Sequence, residues 1–217
     1  MERWDRYAPA TGLVFVVVVI VATLVQGAPP SLSDGASEFA DYFDDNDTRI
    51  RVAQFVNVLA TIPFLWWMGG LWSTLRRAEG GAPRLTVAAG LGGAIAATSV
   101  MLGSAVMSTA AFRSTDLQPA GLKLFYTLSF TMYAAGALGV ATLVLASSVV
   151  ILRSGVFPVW IGWLGIVNGL VWIAAGLSLV STRDAVNVIG FISFLIWLVW
   201  IIAISVVMLR NPEPAAA

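Results

Sequence analysis

Long apolar runs broken by short polar connections dominate the chain. Crossing about 30 Å of hydrocarbon takes about 20 mostly apolar residues in a helix. Six stretches meet or approach that length, at 11–28, 51–75, 85–111, 122–152, 156–180 and 187–209. Lipid offers the backbone no hydrogen-bond partner, so each run predicts a helix, even where valines gather at Val16–Val19. The fourth run is longer than the hydrocarbon is thick and must tilt or protrude. The pattern predicts an all-α fold, a polytopic transmembrane bundle of six helices forming one domain. No internal repeat stands out above the shared Ala/Gly/Ser composition of runs three and four.

Between the first two runs lies the one sizeable polar segment, 29–50. It opens on Pro29-Pro30 and continues through Glu38, Asp41, Asp44, Asp45 and Asp47. Phe39, Tyr42 and Phe43 stand at i, i+3 and i+4, with Glu38, Asp41 and Asp45 on another face. That period predicts a short amphipathic helix inside an acidic extracytoplasmic loop. Its aromatic stripe has two candidate seats, the membrane interface and the ends of other helices. Asp47 or Thr48 is the expected N-cap of the second span. Residues 211–217, Pro- and Ala-rich, read as a short disordered tail.

Charge then sets the orientation. With the N-terminus cytoplasmic, Arg3, Arg6, Arg76, Arg77, Arg84, Arg153 and Arg210 fall inside. Arg49, Arg51, Arg113, Lys123 and Arg183 fall outside. Eight acids accompany the outer set and four the inner, so the formal net charge of zero divides into +3 inside and −3 outside. Trp4, Trp72, Trp160 and Trp163 would sit near the inner interface, where indoles anchor. Both termini are therefore expected in the cytoplasm, with the chain in the inner (cell) membrane. Met1–Ala28 also has the outline of a cleavable signal peptide. Pro29 disfavours cleavage after Ala28, cleavage after Gly27 stays open, and Glu2 and Asp5 cancel Arg3 and Arg6. Retention of the first helix is the expectation.

Composition narrows the chemistry. The chain is 59% hydrophobic and 11% charged, with mean hydropathy +0.87, against about 25% charged residues in soluble domains. It holds no His and no Cys. Disulfides, thiolate nucleophiles, His- or Cys-ligated metals and His-dependent hydrolytic triads are excluded. Zero net charge leaves no basic footprint for nucleic acid. No Asp, Glu, Lys or Arg lies deep inside a span, which argues against proton-coupled transport. The sole lysine, Lys123, stands at a span end, where it can snorkel, so a retinal-type Schiff base at mid-membrane is not expected.

What remains are uncharged polar and small residues. Gln54, Asn57 and Thr61 share a face of span two, Ser104 and Ser108 lie at matching depth in span three, and Ser129 and Tyr133 in span four. Asn168 lies mid-span in span five, and Pro63 interrupts span two just below its polar face. These eight polar side chains could line an outward-opening cavity for a small ligand or lipid headgroup. They could equally hydrogen-bond between helices, at about 0.6–2 kcal/mol each. Gly162, Gly165, Gly169 and Gly176 line one face of span five, and Gly90, Gly93, Ala97, Ser104 and Ser108 a similar face of span three. Such faces let helices approach closely, within the bundle or toward a partner protein or second copy. The acidic segment lacks EF-hand spacing, so a solvated face is expected there rather than a metal site.

The run Phe64-Leu65-Trp66-Trp67-Met68-Gly69-Gly70-Leu71-Trp72-Ser73-Thr74-Leu75-Arg76-Arg77-Ala78-Glu79-Gly80-Gly81 carries a Trp-rich helix end into a basic loop. This reads as an interfacial anchor, with a specific lipid site as the minor alternative. With the acidic loop before it and the small-residue span after it, this stretch resembles an uncharacterised class of small multi-span bacterial membrane proteins. Eleven arginines to one lysine resemble the usage of high-GC genomes such as actinobacteria. The resemblance implies architecture and no catalytic role. The expectation is a non-enzymatic accessory or scaffold subunit without cofactor, embedded in the lipid bilayer. The alternative is a small carrier or binding protein for a lipid or neutral solute.

Overall fold

The computed structural model describes residues 7–181 and 184–210. The 211–217 tail and the charges at Glu2, Arg3, Asp5, Arg6 and Arg183 lie outside the described residues. Six α-helices and no strand occur among those described. They are α1 (Ala8–Gln26), α2 (Ala36–Glu79), α3 (Arg84–Phe112), α4 (Pro119–Ser154), α5 (Val159–Ala175) and α6 (Asp184–Arg210). A 3₁₀ turn, Gly176–Leu179, extends α5. All six spans are long and apolar enough to cross a membrane.

Glycine and proline mark most boundaries. Pro9 and Pro119 sit in the first turns of α1 and α4, where a missing N–H costs nothing. α4 ends at Gly155 in the left-handed region (φ 69), its N–H donating to Ile151 O at 2.9 Å. α3 follows Pro83, which has no capping side chain. The Glu79 carboxylate serves instead, accepting the Leu85 and Thr86 N–H groups, each at 2.8 Å, and the Thr86 hydroxyl at 2.7 Å.

Sequential helices pack side by side, α2 also touches α4, and α1 packs against both α2 and α6. The C-terminus of α2, N-terminus of α3, C-terminus of α4 and N-terminus of α5 thus share one end of the bundle. That end carries Arg76, Arg77, Arg84 and Arg153, and the opposite end carries the acids of early α2. Phe15, Phe64, Trp67, Trp197 and Trp200 fill the middle with stacked, tilted and edge-on ring contacts, centroids 5.1–6.2 Å apart.

The expected loop with its own short helix is corrected. From Ala36 to Glu79 the chain is one helix of 44 residues, about 66 Å long at 1.5 Å per residue. No Gly or Pro separates the acidic stretch from the span, and the buried positions never change phase. Phe39, Phe43, Ile50, Ala53, Ala60, Phe64, Trp67, Leu71 and Leu75 form one unbroken stripe. Asp47 is therefore no N-cap. It lies mid-helix and pairs with Arg51 at 2.7 Å, while Gly35 starts the helix. Of the two seats for the aromatic stripe, the helix ends prevail. Phe39 packs on Tyr126 at 4.9 Å, and Phe43 joins Met107, Ala110, Ala111 and Leu122 in a second core.

The tightest crossing joins α3 to α4, on a face of α3 other than the one expected. A Cβ on Gly92 would lie 2.6 Å from Gly139 O, and one on Gly139 2.8 Å from Gly92 O, so the two backbones touch. Gly90 and Gly93 point the other way and receive Trp72 and Met68 of α2. Gly139→Ala meets rigid backbone and is expected to destabilise the bundle by about 1–3 kcal/mol. Gly69→Ala, whose added carbon meets nothing within 4 Å, should be neutral or slightly stabilising. Unfolding in mixed micelles of rising SDS content compares the two.

Candidate functional site

The polar residues of the acidic half converge on Tyr133. Gln26 ends α1, Gln54 lies about five turns into α2, Ser104 late in α3 and Tyr133 in α4, so the antiparallel arrangement brings all four to similar depth. Gln54 Nε2 donates to Gln26 Oε1 at 3.1 Å. Tyr133 donates to Gln54 Oε1 at 3.0 Å. Its single proton being thus committed, Ser104, 3.1 Å from the phenol oxygen, is the donor there. Ser129 adds a bond from α4 to α3, donating to Gly103 O at 2.9 Å. Gln54 and Ser104 are each only 1% exposed. The result is one hydrogen-bonded chain across four helices.

Gly103 makes room for it. A Cβ there would lie 2.7–3.1 Å from the Tyr133 ring, so any side chain would push the phenol off α3. Two further bonds close the same end. Arg49 donates through Nε to Val25 O and through Nη2 to Leu24 O at 3.3 Å, capping the last carbonyls of α1. Lys123 donates to Asp34 O at 2.6 Å and lies 5.6 Å from the Phe39 ring centroid. This lysine is thus a strap between the first connection and α4.

Of the eight polar residues the sequence singles out, the structure unites Gln54, Ser104, Ser129 and Tyr133. Thr61 bonds the Val58 carbonyl of its own helix at 2.7 Å. Asn57 and Ser108 are half-buried and take no part in the chain. Asn168 lies elsewhere, donating to Ser193 O of α6 at 3.3 Å. Gln26 and Gly103 escape the sequence reading. Gln26 was legible as the one amide in the last turn of α1, across a short connection from α2.

The glycine face of α5 is covered from within. Virtual Cβ atoms on Gly162, Gly165, Gly169 and Gly176 meet Leu152, Ser148, Leu145 and Leu138, all on α4. Trp200 of α6 reaches the same seam, donating to Ile161 O at 3.2 Å. Among the described residues, no group of three or more acids is placed to hold a metal ion. Geometrically, this site is an interhelical lock, with its donors and acceptors turned to one another.

Tyr133→Phe removes the donor to Gln54 and the acceptor for Ser104 while keeping the ring. It is expected to cost about 1 kcal/mol, within the range for interhelical bonds in lipid. Gln54→Leu should cost a similar amount, and the double variant less than the sum, because the two share one chain. A double-mutant cycle by SDS unfolding reads the coupling, and strict additivity would contradict the lock.

No curated protein and no solved structure matches the chain. One family does match, over residues 10–204, which takes in all or nearly all of every span. The chain belongs to the family described as a domain of unknown function, DUF4386.

Proposed function

We propose that this chain is a non-enzymatic accessory or scaffold subunit of a bacterial cell membrane, with both termini cytoplasmic. One observation carries the reading. The polar groups best placed to form a binding cavity are engaged with each other, while Glu38, Asp41, Asp44 and Asp45 stand exposed on a rigid helical extension. None of the four has an ion-pair partner among the described residues. Because Phe39 and Phe43 hold the opposite face against α3 and α4, the acidic face is fixed in orientation. A fixed row of carboxylates suits a basic extracytoplasmic partner, since charge complementarity sets encounter rate and register. The carrier reading rested on an open polar cavity. It loses support where Tyr133, Gln54 and Ser104 bond one another.

Gentle purification from native membranes is expected to yield a reproducible partner. The variant Asp41→Lys/Asp44→Lys/Asp45→Lys should lose it while keeping its unfolding midpoint, because these side chains are exposed. A protein that always purifies alone, or a partner indifferent to charge reversal, would overturn the reading. Orientation has its own test, eased by the absence of cysteine. Single cysteines at Ser37, Ser114 and Ser181 should react with an impermeant maleimide from outside, and one at Ala78 should not. The opposite pattern would reverse the topology.

A further inference from the structure

The arginine end holds a feature of another kind. Between α2 and α3 runs a groove of about 340 Å³, walled by Leu65, Gly69 and Trp72 on one side and Val87, Leu91 and Ala94 on the other. It is apolar, and Leu65, Val87 and Leu91 are 40–62% exposed along it. The groove exists for an identifiable reason. The edge of the Trp72 ring abuts Gly90, whose virtual Cβ would be 2.2 Å from it, and this seats the indole between the helices. One turn away Gly69 contributes no side chain, and nothing lies within 4 Å of where its Cβ would be.

The helical period extends both walls to charge. Leu65, Gly69, Trp72 and Arg76 fall at i, i+4, i+7 and i+11 of α2, one continuous stripe. Arg84, Val87, Leu91 and Ala94 fall at i, i+3, i+7 and i+10 of α3, another. Arg76 and Arg84 are exposed and stand at the same end. At 1.5 Å per residue, the groove begins about 5 Å beyond these arginines and runs about 10 Å deeper into the hydrocarbon. The neighbouring acid, Glu79, is turned onto the N-terminus of α3, where it caps the Leu85 and Thr86 N–H groups. Its charge is therefore directed at the helix end rather than at the groove mouth.

The geometry points to a seat for one anionic phospholipid, its acyl chain in the Gly69 groove and its phosphate between Arg76 and Arg84. A bilayer surrounds this face with lipid chains, so the apolar wall sets where a chain lies. The paired guanidinium groups, which bind phosphate through several N–H donors at once, select the headgroup. A zwitterionic lipid with the same chains would fit the groove and gain less at its mouth. The seat is independent of which side of the membrane the arginine end faces.

The test uses delipidated full-length protein in neutral detergent, offered dioleoyl phosphatidylglycerol or dioleoyl phosphatidylcholine, with bound lipid counted by native mass spectrometry. One phosphatidylglycerol per chain is expected, retained about tenfold better than phosphatidylcholine. Arg76→Gln/Arg84→Gln should bring the two lipids level. Gly69→Leu fills the groove without a clash at Cβ and should reduce retention of both, at an unchanged unfolding midpoint. Ala94→Leu fills it from the opposite wall and guards against misfolding of the first variant. Equal retention of the two lipids by the unaltered protein would overturn the seat. So would a headgroup preference that survives loss of both arginines, or full retention in both filled variants.

Discussion

Hydrocarbon can neither donate nor accept a hydrogen bond, and the arrangement of this bundle follows from that. The backbone answers it by forming helices. Polar side chains are answered one by one, and in the acidic half Gln26, Gln54, Ser104 and Tyr133 answer each other. Gln54 is an amide within a span, with both ends to satisfy. Its nitrogen finds Gln26 of α1 and its oxygen finds Tyr133 of α4. These two bonds locate three helices relative to one another, and a third brings in α3. Ser104 supplies the donor that the phenol oxygen can still accept. Such bonds add modest stability in lipid, but they select one rotational setting of each helix, which uniform apolar packing does not.

Close packing supplies the rest, because lipid tails are as apolar as leucine and exert no hydrophobic pressure between helices. Small residues let backbones meet. α3 shows this on two faces, with Gly92 against the α4 backbone and Gly90 and Gly93 under the side chains of α2. The second face was legible as a glycine stripe in the sequence. The first was not, because a stripe shows that something approaches closely without showing which helix. The same holds for Gly162, Gly165 and Gly169, readable as a packing face but assignable to α4 only from the structure.

Span number and helix identity were legible because apolar length and lipid leave one solution. The polar cluster was half legible. Depth could be counted along each span, which placed Gln54, Ser104, Ser129 and Tyr133 together. Rotation about the helix axis could not, so Asn57, Thr61, Ser108 and Asn168 were grouped with residues whose hydrogen-bonded chain they do not join. The continuity of α2 was hidden by habit. A run of acids reads as the end of a span, yet nothing in Ala36–Ile50 breaks a helix. The decisive signal was the phase of Phe39 and Phe43 with Ile50 and Phe64, which a single stripe accommodates and a new start would not.

That continuity gives α2 a role no other helix has. At about 66 Å it is twice as long as about 30 Å of hydrocarbon is thick, so one continuous helix joins the exposed acids, the interhelical lock and the Gly69 groove, with Pro63 between the lock and the groove. The two ends it connects differ in kind. At the acidic end polar bonds, the Lys123 strap and the second core fix the helix on α1, α3 and α4. At the arginine end Trp72 and Met68 pack on Gly90 and Gly93 of α3 and Glu79 caps the α3 N-terminus, while the space beside Gly69 is left open. Whatever fills the groove there would bridge α2 and α3 on the far side of Pro63 from the lock, so the acidic face and the groove are two separate binding surfaces carried by one helix.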